Sequence, residues 1–200
     1  MATITILGCA YAIPNTTHEV THFVVQGNET GILVDCGSNP TVRLEQANIS
    51  YDSITDLILT HFHPDHISGA PLMLMNMWLL GRKKSLRIHG LAHCLDNLMK
   101  LMQAYEWDQW PDFFPVEFHE IPETEKASLL INDEFSIKSS PGNHMVIGYQ
   151  LLVLILCGEA TRFFGFGVVS RSLPETKQSR VVFTSHRIIA TSGGSSGRPE

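Results

Sequence analysis

Thr60-His61-Phe62-His63-Pro64-Asp65-His66 sets three imidazoles and a carboxylate within the six residues 61–66, directly behind the apolar run Ile54 to Thr60. That run is rich in Ile, Leu and Thr and reads as a buried strand that delivers the histidines to a sheet edge. Beyond it the chain is expected to be extended rather than helical. Side chains alternate along an extended chain, so His61 and His63 point the same way and can grip one ion. Pro64 supports this, because the residue before a proline is pushed out of the α region. Asp65 and His66 then come round the turn to face a second ion. Imidazole nitrogen and carboxylate oxygen suit zinc best, with manganese or iron as other occupants. The spacing matches a dinuclear site whose ions lie about 3.5–4 Å apart.

Outside this stretch the composition is that of a soluble globular protein. With 200 residues, 44% hydrophobic and 17% charged, the chain can bury one real core, and a single folded domain is expected. A net charge of −6 argues against a broad basic face for nucleic acid, leaving room only for a local basic patch. Cys9, Cys36, Cys94 and Cys157 lie far apart without a C-x-x-C pair, and the N-terminus lacks a signal-type apolar core. Reduced thiols in the cytoplasm follow as the simplest expectation. The longest apolar run, Leu151 to Cys157, falls far short of the roughly 20 residues a membrane span needs, so no membrane partner is expected.

Strands are expected over Thr3 to Cys9, His22 to Gln26 and Gly31 to Asp35, with a polar turn from Asn28 to Gly31. Pro71 to Leu80 is apolar on almost every side and ends at Gly81, which suits a helix buried between a sheet and other elements. Its Met73, Met75 and Met77 read as adaptable core filler. From His93 to Trp107 the residues Leu95, Leu98, Met99, Met102 and Tyr105 recur at helical spacing. The aromatic loop Trp107 to Pro115 is read as a packed cap on the core, with one wall of a substrate cleft as the functional alternative. Val116 to Ile121 alternates like a strand. Leu129 to Ile131 and Phe135 to Lys138 read as a hairpin turning at Asn132-Asp133-Glu134, and Pro141-Gly142-Asn143 reads as a turn ahead of His144. His89, His93 and His119 stand alone and read as structural. Arg82, Lys83, Lys84 and Arg87 read as a solvated helix end placed where the helix dipole favours cations.

His61-Phe62-His63-Pro64-Asp65-His66 resembles the HxHxDH signature of the metallo-β-lactamase superfamily. Ile32-Leu33-Val34-Asp35-Cys36-Gly37 resembles that family's strand ending in Asp-x-Gly beneath the metals. Ser68-Gly69-Ala70-Pro71-Leu72, the apolar helix after it, Gly81-Arg82-Lys83-Lys84 and Leu86-Arg87-Ile88-His89-Gly90 are similar to the ribonuclease Z-like branch. Ser140-Pro141-Gly142-Asn143-His144 looks like the later motif that supplies a third histidine to the first metal. Periodicity alone gives α/β; the resemblance implies the αββα four-layer sandwich, incomplete at its C-terminus. It divides the chain into a metallo-β-lactamase-like domain, residues 1–148, and a divergent, partly disordered C-terminal segment, residues 149–200.

The resemblance further implies a zinc-dependent hydrolase in which a hydroxide held by the metals attacks an ester. A phosphodiester is the expected substrate; a carboxylic ester, thioester or sulfate ester would serve the same chemistry. The implied ligands are His61, His63, Asp65, His66 and His144, holding two Zn2+ per chain, or Mn2+ or Fe2+. Asp65 also takes the nucleophile's proton, and Asp35 orients a ligand imidazole. The expected partners are a small-molecule or nucleic-acid ester and a second copy in a homodimer. Two features depart from the family pattern. The N-terminal loop Pro14 to Val20 lacks the Arg of ribonuclease Z, and no Asp follows Asp133 to bridge the metals. Glu159 and His186 are the groups left to complete the second site; without them the chain is a mononuclear three-histidine protein or a catalytically impaired fragment.

Overall fold

A computed structural model describes residues 3–10, 12–131, 135–143, 150–158 and 162–166. Its first sheet begins with β1 (Thr3–Gly8), β2 (His22–Gln26) and β3 (Gly31–Val34), paired antiparallel. It continues through β4 (Asp56–Ile58), β5 (Leu86–Gly90) and β6 (Val116–Glu120), each parallel to its predecessor. Parallel strands need crossovers, and helices supply them. α1 (Pro40–Gln46) and the one-turn α2 (Pro64–Ile67) flank β4, α3 (Ala70–Leu79) leads to β5, and α4 (Ala92–Ala104) leads to β6. The second sheet is antiparallel, in the order β10-β9-β8-β7, with β7 (Ala127–Ile131), β8 (Phe135–Asn143), β9 (Gln150–Gly158) and β10 (Arg162–Phe166).

The core lies on the first sheet. Ile32, Leu33, Leu57, Ile58, Leu59 and Ile88 are fully buried, as expected of strands covered on both faces. Met73, Leu74 and Met77 of α3 and Leu98 and Met102 of α4 pack on them, and Ile137 of β8 joins the same cluster. Each such side chain contributes on the order of 1.5–3 kcal/mol of burial.

Several sequence expectations need correction. Extended backbone continues only to His63 (φ −107°, ψ 150°), after which Pro64 opens α2; its fixed φ and missing N–H suit the first helical position. α3 is not buried all round, because Leu72, Leu79 and the following Leu80 are exposed on its outer side. Pro141-Gly142-Asn143 does not turn but continues β8, paired with Leu152, Leu151 and Gln150 of β9. Arg82 is not solvated. It is 3% exposed and donates to the carbonyls of Tyr51, Ile54, Lys84 and Ser85 at 2.8–2.9 Å, with its guanidinium 5.3 Å from the centre of the Phe114 ring. α1, which is not among the elements expected from sequence, is opened by Asn39, whose side chain accepts from the Val42 N–H.

The aromatic residues of the loop after α4 form a cap. Trp78 and Trp110 stack at 5.1 Å, and the Trp78 indole donates to the Pro111 carbonyl at 2.8 Å. This loop leads into the start of β6, whereas the histidine motif leaves the end of the parallel strand β4. The aromatics therefore lie at the opposite edge of the sheet from the histidines and form no wall of that site.

Candidate metal centre

Parallel register sets up the site. Val34 pairs with Ile58 and the Asp35 N–H donates to the Ile58 carbonyl at 2.8 Å, so the ends of β3 and β4 release Asp35 and Thr60 side by side. Asp35 sits at φ 59°, in the left-handed region that aspartate tolerates better than most residues. Its carboxylate is 3% exposed and accepts from the Thr60 N–H at 2.8 Å, the Thr60 hydroxyl at 2.9–3.0 Å and His66 Nδ1 at 2.6 Å.

The loop after β3 is clamped onto the motif. The Cys36 N–H donates to the His66 carbonyl and the Gly69 N–H to the Cys36 carbonyl, both at 2.7 Å. Gly37 passes so close to Asp65 that a Cβ there would stand 1.9 Å from the Asp65 carbonyl oxygen. The Ser38 hydroxyl donates to Glu19, which Arg43 also contacts at 3.3 Å. That hydroxyl bond leads the influences holding Glu19 below the usual carboxylate range.

The donor atoms gather in pairs. His61 Nε2 and His63 Nδ1 stand 3.0 Å apart, and His66 Nε2 and Asp65 Oδ2 stand 3.3 Å apart. The rings of His61 and His66 are 4.0 Å apart between centroids, so the two pairs are neighbours. Among the described residues no group of three or more His, Cys, Asp or Glu closes on one point. His144, Glu159 and His186 lie outside the described residues.

This donor set fits divalent metal. Two nitrogens near 3 Å apart have the separation that ligands of one ion adopt at bond lengths of about 2.0–2.1 Å. His66 is oriented from behind by Asp35, the carboxylate–imidazole arrangement common at metal sites. Burial opposes charge on His66, but Asp35 and Asp65 outweigh it and lift its pKa to about 10. Burial likewise opposes ionisation of Asp65, which His66 and His61 nevertheless hold below its usual range. The neighbouring Cys36 thiol is fully buried: burial and the Asp35 charge push it well above the ordinary thiol range, and its sulfur lies 3.8 Å from that of Met73.

The other histidines divide as follows. His18 is exposed in a turn with Asn15 and Thr17. His22 is fully buried, with Nδ1 donating to the Val20 carbonyl at 2.8 Å, and burial lowers its pKa. His89 contacts Asp56 at 2.7 Å and stacks on His119 at 5.1 Å, while His119 reaches Glu117 at 3.4 Å. These belong to a polar ladder across β4, β5 and β6. Sequence reasoning reached Asp35 through its Asp-x-Gly context but missed Thr60, whose hydroxyl also lies 3.0 Å from His61 Nδ1.

The chain is similar to several known proteins. Ribonuclease Z of Parabacteroides distasonis is 27% identical over 143 residues, covering 72% of this chain and 46% of that protein. Ribonuclease BN of Cronobacter sakazakii is 30% identical over 156 residues, covering 74% and 48%. The chain thus spans about half the length of the curated relatives it matches. Among solved structures, the short form of human tRNase Z superposes with a TM-score of 0.65 at 21% identity, covering 87% of this chain and 71% of that one. YhfI of Bacillus subtilis, a metallo-β-lactamase fold protein, gives 0.62 at 18% identity, covering 82% and 61%. At such identities these two establish the metallo-β-lactamase fold and no more. The profile of the family described as "Anti-Pycsar protein Apyc1" matches residues 2–165, and the chain, which carries the metallo-β-lactamase fold and resembles ribonuclease Z over part of its length, belongs to that family.

Proposed function

We propose that the chain is a zinc-dependent hydrolase acting on a phosphodiester. The observation that carries this reading is the pairing of donors, His61 Nε2 with His63 Nδ1 at 3.0 Å and His66 Nε2 with Asp65 Oδ2 at 3.3 Å, in adjacent positions. In this reading His61 and His63 hold one ion with His144 as the third donor. Asp65 and His66 hold the second, for which Glu159 and His186 are the sequence candidates. Bound divalent ions supply Lewis acidity and a water acidified toward neutral pH, so no protein nucleophile is needed. Asp65 would accept the nucleophile's proton, and Asp35 keeps His66 Nδ1–H engaged at 2.6 Å, which would leave Nε2 to hold an ion.

The phosphodiester preference is supported by likeness to proteins named ribonuclease Z and ribonuclease BN. The net charge of −6 favours a small ester or a single nucleic-acid end over a long basic footprint. A cytoplasmic setting agrees with free Cys9, Cys36 and Cys94, and no helix among the described residues is long and apolar enough to cross a membrane. A homodimer belongs to the same reading.

The test is elemental analysis of purified protein together with hydrolysis of bis(p-nitrophenyl) phosphate and p-nitrophenyl acetate. Two zinc ions per chain and a phosphodiesterase rate that His61→Ala and Asp65→Asn each lower by at least about 100-fold are expected. One zinc, unchanged by Glu159→Gln with His186→Ala, would replace the dinuclear reading with a three-histidine site. Absence of zinc and of phosphodiesterase activity would overturn the proposal.

A further inference from the structure

One carboxylate serves both donor pairs. Asp35 touches His66, of the second pair, directly at 2.6 Å. It reaches His61, of the first pair, through the Thr60 hydroxyl, which lies 2.9 Å from Asp35 Oδ2 and 3.0 Å from His61 Nδ1. All four residues are between 1% and 5% exposed, so water does not compete for these bonds.

Resting on the metal-centre reading, we propose that Thr60 is a positioning residue. Its hydroxyl extends the reach of Asp35 to the first metal pair and sets the tautomer of His61. A hydroxyl has one proton, and a carboxylate offers only lone pairs, so the Thr60 proton points to Asp35. The Thr60 oxygen then faces His61 Nδ1 as an acceptor, and His61 carries its proton there. Nε2 is left with its lone pair toward His63 Nδ1, where the first ion would sit. The chain of donation runs from His61 through Thr60 to Asp35, and from His66 to the same carboxylate. Fixing the ligand tautomers of both pairs thus depends on a single anion, although Thr60 itself contacts no ligand of the second pair in this chain of bonds.

The geometry makes Thr60→Val a usable probe. The Thr60 N–H bond to Asp35 at 2.8 Å is made by the main chain and survives the substitution, as does the His66 bond at 2.6 Å, so Asp35 keeps part of its anchoring. The hydroxyl's bonds to Asp35 and its link to His61 are removed together. Thr60→Ser restores the hydroxyl and serves as the conservative control. Asp35→Asn cannot accept at both oxygens and so disturbs both pairs.

The experiment is zinc titration against a competing chelator on the full chain, with imidazole nitrogen NMR of the metal-free protein as a second readout. Thr60→Val is expected to weaken one of the two stepwise zinc constants by about 10- to 100-fold and leave the other within a few-fold. Thr60→Ser should stay near wild type, and Asp35→Asn should weaken both. In the metal-free spectrum His61 should be protonated at Nδ1 in the wild type and in Thr60→Ser, and lose that preference in Thr60→Val. Unchanged zinc constants and an unchanged His61 tautomer in Thr60→Val would overturn the role of Thr60. Failure of the wild type to bind zinc would instead overturn the metal reading, and the tautomer comparison would then decide Thr60 alone.

Discussion

Gly37→Ala is the sharpest local test of how the site is assembled. A Cβ at this position would lie 1.9 Å from the Asp65 carbonyl oxygen, 2.6 Å from its carbonyl carbon and 2.6 Å from Val20 Cγ2. Cβ contacts below 3.0 Å are essentially never seen, so the Asp65 main chain or the 35–38 loop has to yield. The displacement needed is about 1 Å, the scale on which misplacing a catalytic group lowers rates about 100-fold. Neither side moves freely. The Cys36 N–H and carbonyl tie the loop to the His66 carbonyl at the end of the motif and to the Gly69 N–H just beyond it, at 2.7 Å each. Val20 is 4% exposed and has no space to retreat into.

The methyl group is therefore expected to cost about 1–3 kcal/mol of stability through overpacking and to lower phosphodiester hydrolysis by about 100-fold. Affinity for the second zinc should fall more than for the first, because Asp65 moves while His61 and His63 precede Pro64. The assays are urea unfolding, zinc titration and initial rates on bis(p-nitrophenyl) phosphate. Gly81→Ala is the control. Gly81 has φ +83° and nothing within 4 Å of where a methyl would stand, so alanine there strains the backbone without touching the site. It should lose stability and keep its rate per folded molecule. A Gly37→Ala protein that binds both zinc ions normally and hydrolyses within threefold of wild type would refute the close-packing argument.

Two further outcomes follow from buried charges away from the His61–His66 motif. Arg82→Met removes the guanidinium donors to the Tyr51, Ile54, Lys84 and Ser85 carbonyls, and urea unfolding should show a loss of about 3–5 kcal/mol, against under 1 kcal/mol if the guanidinium is dispensable. Arg82→Lys should recover only a minor part of this, since one ammonium cannot fork to four carbonyls. Burial raises the Asp56 pKa, but His89, Arg87 and Thr55 overcome it and bring the carboxyl down to about 2. A depressed acid stabilises the fold above its unfolded pKa near 4 by roughly 2 kcal/mol, and that contribution disappears as pH falls toward 2. Asp56→Asn should therefore narrow the stability difference between pH 6 and pH 2, and parallel acid-unfolding curves for the two proteins would contradict the assignment.

The residues differ in how far sequence could reveal them, and the reason is physical. Metal binding demands particular atoms at particular spacings, so His61, His63, Asp65 and His66 announce themselves in a single window. Strand periodicity and Gly-bounded turns likewise expose β2, β3 and β6, because each depends on neighbours along the chain. Arg82 carries no such mark. A cation after Gly81 reads the same whether water or protein surrounds it. What decides the matter is the position of the Tyr51 and Ile54 carbonyls, 31 and 28 residues away. Pro141-Gly142-Asn143 misled for the same reason, since turn-forming residues yielded to pairing with β9. Thr60 lies between these cases. Its place beside His61 is local, but its role depends on Asp35, brought within reach by the β3–β4 register 25 residues apart. Ligands that hold an ion are thus written locally, whereas the bonds that set their tautomers exist only once two strands have paired. Substitutions at Thr60 should accordingly reach the first metal pair through His61 Nδ1, cutting it off from Asp35, even though the HxHxDH motif itself is untouched.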